Sequence, residues 1–159
     1  MEAWALREQI VRPALKDAGL WSEAAEDLMM GTAYAESGLR TVRQVGGGPA
    51  LSFFQIEPAT YYDVIRYLMW NKELMALILI ACEMSSFPRV ETLAWDMRLA
   101  TLIARVKYWM SPRPLPKAGD VENLGLYWKE IYNTKLGAGT VEHFKLQWHH
   151  FERATHEIK

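Results

Sequence analysis

Little in this sequence points to anything other than a plain folded domain. There is one cysteine, Cys82, so no disulfide can close within the chain and a reducing compartment is expected to be tolerated. Neither sign of charge is in excess. The 18 basic and 19 acidic residues give a formal net charge of -1, which leaves no surplus to neutralise phosphates and excludes nucleic acid as an expected partner. Repeats, low-complexity tracts and charge blocks are missing. The longest apolar run, Leu74 to Cys82, is about half of what a bilayer span requires, so it is expected to be a core helix without membrane insertion. Glu2, Arg7 and Glu8 stand where a signal peptide carries its apolar stretch, so cytoplasmic synthesis without export is expected.

What is present fits one compact domain over residues 1–159, expected to be monomeric. Half of the 159 residues are hydrophobic and 23% are charged, enough to bury a core without metal or disulfide staples. Apolar spacing predicts a helix over residues 3–18, kinked or divided by Pro13. Ser22 offers an N-cap to a second helix from Glu23 to about Ser37, ended by Gly38 in the left-handed conformation. Two β-like runs follow, Thr41 to Val45 and Leu51 to Ile56, joined by a glycine-rich turn, and predict a short hairpin or flap. Helical patterns resume beyond Pro58 and from Leu74 to Cys82. The longest helix is predicted to start after Pro88, and Asp120 and Thr140 are N-caps of two final helices. The fold class is therefore mainly α with one small β element.

The buried stripe of the second helix runs Ala25, Leu28, Met29, Thr32, Ala33, and its next position is Glu36. An acid thus stands where the pattern asks for core. Burial and the negative end of the helix dipole both oppose its ionisation, which suits a general acid at neutral pH. The alternative, that Glu36 turns outward or pairs with Arg40, is left open by periodicity alone.

The surrounding residues carry a resemblance. Ala35-Glu36-Ser37-Gly38-Leu39 resembles the glutamate-serine signature of the lytic transglycosylase and goose-type lysozyme superfamily. Ser52-Phe53-Phe54-Gln55-Ile56-Glu57-Pro58-Ala59-Thr60 is similar to that family's Gly-Leu-Met-Gln-Leu-Met-Pro-Ala-Thr block, with Gln55, Pro58, Ala59 and Thr60 matching outright. Tyr132-Asn133-Thr134, followed by Gly137, Gly139, Thr140 and Val141, resembles a third signature, Tyr-Asn-Ala-Gly with a glycine-rich turn into a helix. Three blocks in order are far more specific than one, and the whole looks most like small transglycosylase-domain proteins of tailed bacteriophages. Ser52 replaces a usual glycine and Thr134 a common alanine.

The resemblance implies an α+β lysozyme-like fold and a peptidoglycan-degrading enzyme without a cofactor, acting on the bond between N-acetylmuramic acid and N-acetylglucosamine. It implies that Glu36 is the catalytic acid, that Ser37 and Tyr132 position it by hydrogen bonds, that Gln55 with backbone groups near Phe53 and Phe54 holds the sugar, and that Asn133 orders the loop carrying Tyr132. It also implies action on the cell wall, either from the virion or after holin-type release. Glycosidases with two carboxylates commonly place the second on a strand near the cleft, yet no Asp or Glu lies between Gly38 and Ile56. Lytic transglycosylation is therefore the expected reaction, with hydrolysis as runner-up and a non-catalytic phage structural or wall-binding domain as the other class.

Other candidates have plainer readings. Trp95, Trp109 and Trp148 are expected in the core, whereas Tyr61, Tyr62 and Trp128 are cleft candidates. His143, His149, His150 and His156 match no strong zinc spacing and are read as a solvated face, with no metal site expected. Cys82 is read as an inert thiol.

Overall fold

The computed structural model describes residues 1–134 and 137–156. Helices α1 (Ala3–Leu6) and α2 (Arg12–Asp17) are joined end to end by a π-helical stretch, Arg7–Val11. Pro13 has no N–H for the carbonyl four residues back, and the helix widens ahead of it instead of breaking. Helix α3 (Glu23–Ser37) begins and ends as its caps predict: Ser22 accepts a hydrogen bond from the Ala25 amide, and Gly38 takes φ 57, ψ 26. After it come α4 (Pro58–Met69) and α5 (Lys72–Ala81), then a 3-10 turn, Val90–Ala94, and α6 (Met97–Trp109). Helix α7 (Val121–Tyr127) runs into a π-helical turn, Trp128–Asn133, and α8 (Val141–His156) closes the described chain.

Helix α3 lies at the centre, buried on every side by contacts with α6, α7 and α8. Helix α6 is the other buried helix. It does not start directly after Pro88 and is not the longest, because Asp96 accepts from the Leu99 amide and restarts the helix after the 3-10 turn. One apolar cluster extends from Ala3 to Trp148. Among the described residues, no helix is long and apolar enough to cross a membrane.

The hairpin is not formed, and among the described residues there are no strands. The two runs make only isolated bridges, Arg43 with Leu51 and Leu51 with Ile56. Leu51 and Ile56 exchange both backbone hydrogen bonds, at 2.9 and 2.8 Å, so the second run curls back on itself. Ser52 and Gln55 have φ of 70° and 47°, which no strand accommodates. Nor does the run alternate between core and solvent, since Leu51, Ser52, Phe53 and Phe54 are all buried. The β-favouring residues here pack as a wound loop under the glycine-tipped flap, because tertiary burial overrides local propensity.

Candidate active site

Glu36 occupies the last turn of α3, half-buried. Its Oε1 accepts a hydrogen bond of 3.0 Å from the indole nitrogen of Trp128. Burial pushes the carboxyl up to about 7, although the hydrogen bonds from Trp128 and Asn133 favour its ionised form. Trp128, Tyr132 and Asn133 share the π-helical turn after α7, where a turn closing five residues apart brings its first and last members to one side. Lys129 fixes the turn by donating to Asn133 Oδ1 and to the Gly137 carbonyl, both at 2.8 Å.

The Tyr132 hydroxyl donates to the Phe54 carbonyl at 2.6 Å, tying this turn to the wound loop. Its ring stacks on Tyr108, which stacks on Tyr127 in turn. Burial and the nearby Glu36 hold the Tyr132 and Tyr108 hydroxyls well above their ordinary range, so both stay neutral. Gln55 donates from Nε2 to the Ser52 carbonyl at 2.9 Å, and Ser52 Oγ accepts from the Phe54 amide.

Three concavities meet at Glu36. One of about 410 Å³ is lined by Gln55, Thr60, Lys107, Tyr132 and Asn133. A second, of about 380 Å³, runs beneath the flap past Ser37, Thr41, Gln44 and Gln55. The third, about 460 Å³, lies between the end of α3 and α8, beside Arg40, His143, Gln147 and His150. A larger hollow of about 580 Å³ near Asp17 and Arg98 has its arginine already bonded to Asp17 and to the Ala81 carbonyl, and lacks a comparable proton-transfer group. Backbone strain also gathers around Glu36. Leu39, Ser52, Gln55 and Thr134 all have positive φ, a costly state for residues other than glycine and one that clusters at functional sites.

The residues singled out by the sequence divide into two groups. Glu36, Gln55, Tyr132 and Asn133 line one cleft. The Ser37 hydroxyl bonds the Ala33 carbonyl and the Leu39 amide, so it secures the turn after Glu36. Phe53 and Phe54 are in the core, and the Phe54 carbonyl serves as the anchor for Tyr132. The rings assigned by pattern are partly exchanged. Trp148 is in the core, but Trp95 and Trp109 are exposed with Arg89 and Arg105 over their faces. Tyr61 is fully buried and donates to the Pro88 carbonyl, Tyr62 is exposed, and Trp128 is a buried partner of Glu36, not a stacking platform.

His143 and His150 border the third concavity, and His143 Nε2 lies 2.9 Å from the Ala35 carbonyl oxygen. The side chain of His156 lies outside the described residues. Burial pushes the Cys82 thiol up to about 11, which leaves it a poor nucleophile. Glu57 and Lys107 also line the cleft. Nothing in their spacing distinguishes Lys107 from other helix-end lysines, and Glu57 was visible only as a carboxylate two residues after Gln55. No family model matches the chain, and no curated protein or solved structure matches it at a significant level.

Proposed function

We propose that the chain cleaves the β-1,4 bond from N-acetylmuramic acid to N-acetylglucosamine in bacterial peptidoglycan, by lytic transglycosylation, with Glu36 as both acid and base. The observation that carries this reading is a carboxyl held protonated to about pH 7 where three concavities meet, a combination suited to an extended glycan. The convergence of the three resembling blocks on that cleft supports it.

The Trp128 indole and Asn133 hold the Glu36 carboxyl in place at the cleft. Glu36 donates its proton to the glycosidic oxygen as the bond to the muramic acid C1 breaks. The carboxylate so formed takes the proton of the C6 hydroxyl, whose oxygen bonds to C1 and closes a 1,6-anhydro ring. No water is consumed. Gln55 offers its amide oxygen to the sugar, Asn133 braces Glu36 from the turn that Lys129 fixes, and neutral Tyr132 holds the turn and loop together.

A second reading, hydrolysis, is favoured by one observation: Glu57 is exposed at the entry to α4 and shares the cleft with Glu36, so a second carboxylate is available to activate water. An enzyme of this kind suits a tailed phage, carried in the virion or released at lysis.

The test is clearing of purified peptidoglycan, with mass spectrometry of the products. Wild type is expected to clear and to leave anhydro-muramic ends, and Glu36→Gln to lose at least about a thousandfold in rate. Reducing ends as the main product establish hydrolysis instead. Equal clearing by both proteins removes Glu36 as the acid, and no clearing by either favours a binding domain.

A further inference from the structure

We propose that Lys107 forms a carboxylate-binding site in the cleft, recognising an acid borne by the muramic acid residue and so selecting which glycan strands are accepted. The acid is either the lactyl carboxylate of a bare strand or a carboxylate of the attached peptide. The proposal rests on the glycan reading above.

Lys107 lies in the last turn of α6, half-buried, in the concavity of about 410 Å³ that holds Glu36, Thr60, Tyr132 and Asn133. Among the described residues its ammonium has no ion pair and no hydrogen bond. Of the other lysines, Lys129 donates to Asn133 and Gly137 and Lys145 pairs with Glu122 at 2.7 Å, whereas Lys72 and Lys117, which also have no ion pair or hydrogen bond among the described residues, are exposed to solvent outside the cleft. Two acids line the same cavity, yet neither Glu36 nor Glu57 comes within ion-pair reach of Lys107.

An ammonium without a partner has its three donors available to whatever fills the cavity. Cavities of this volume are typical of small-molecule sites. The ligand chemistry follows from the substrate. Muramic acid differs from glucosamine by a lactyl ether at C3, which ends in a carboxylate when bare and in an amide when a peptide is attached. A lysine lining the same cavity as the proton donor therefore discriminates between the two sugars through the group that distinguishes them. Charge-assisted hydrogen bonding is the strongest recognition a lysine offers a carboxylate.

The test separates this site from catalysis. Glu36→Gln, which blocks turnover, is titrated by NMR with N-acetylglucosamine, N-acetylmuramic acid and muramoyl dipeptide. One acid-bearing ligand is expected to bind about tenfold more tightly than N-acetylglucosamine. N-acetylmuramic acid in that role identifies the lactyl carboxylate, and the dipeptide identifies the peptide's. The excess should vanish in Glu36→Gln/Lys107→Met and return in part with Lys107→Arg. Equal binding of all three, or an excess that survives Lys107→Met, overturns the proposal. Clearing of peptidoglycan by the wild type is measured alongside. Clearing without any acid preference sinks the Lys107 site and leaves the glycan reading intact, whereas a Lys107-dependent preference without clearing does the reverse.

Discussion

At the scale of residues, the Glu36 carboxyl couples the site to the stability of the fold. Its group is held up to about 7 in the folded chain against about 4.5 for an ordinary carboxyl, because burial disfavours the charge. A raised value means that the contribution is intact below the ordinary value and is lost as pH rises through the folded one. Glu36→Gln keeps the shape and an acceptor for Trp128 but cannot ionise. It is therefore expected to melt above the wild type at pH 8, by up to about 3 kcal/mol, and to converge with it below the ordinary carboxyl value of about 4.5. Thermal melts across that range decide, and identical curves sink the argument. The same carboxyl predicts an alkaline limb in kcat/KM near pH 7 for the wild type. Trp128→Phe removes the donor that favours the ionised form, so the limb should move to higher pH. A pH-rate profile that stays put or moves down excludes that role for the indole.

At the scale of elements, α3 and α8 come so close that a Cβ added at Gly31 would stand 2.3 Å from Phe144 Cζ. Alanine is the better helix former by about 1 kcal/mol, but overpacking a rigid core costs about 1–3 kcal/mol. Gly31→Ala should therefore lower Tm by a few degrees, and adding Phe144→Leu should recover part of the loss. A rise in Tm for the single variant contradicts this packing. Helix α3 was legible because its signals are local: Ser22, the apolar stripe and Gly38 lie within or beside it. The same holds for α7 and α8, capped by Asp120 and Thr140. The segment from Leu51 to Ile56 was not legible, since its β-favouring residues say nothing of the positive φ at Ser52 and Gln55, or of burial on both faces. Within the site, Glu36 could be seen from helical spacing and Gln55, Tyr132 and Asn133 from their blocks. The bond from Trp128 spans 92 residues and depends on a widened turn that no periodicity announces. Lys107 escaped notice for a related reason, because it enters the cleft from a helix outside the three blocks.

At the scale of the whole molecule, one ion network ties the two ends of the described chain to its centre. Glu26, in the first turn of α3 and almost fully buried, accepts from Arg7, from two nitrogens of Arg12 and from the Trp21 indole, all between 2.7 and 2.9 Å. Arg7 also donates to Asp27 and to Glu152 of α8, and the Tyr34 hydroxyl joins at Glu152. Burial alone would raise the Glu26 carboxyl, but the hydrogen bonds from Arg12, Trp21 and Arg7 outweigh it and hold the group near 2, against an ordinary 4.5. A depressed value works in the opposite sense to that of Glu36. The stabilisation is present above the ordinary value and drains away as pH falls toward 2, on the order of 3 kcal/mol in all. Glu26→Gln should therefore cost about 3 kcal/mol at pH 7, where it leaves two arginines short of a buried partner, and progressively less between pH 4.5 and 2.5. Urea midpoints at both ends of that range provide the measurement. A loss that does not shrink on acidification assigns the effect of Glu26 to packing, because only the charge on its carboxylate gives the linkage between this network and pH.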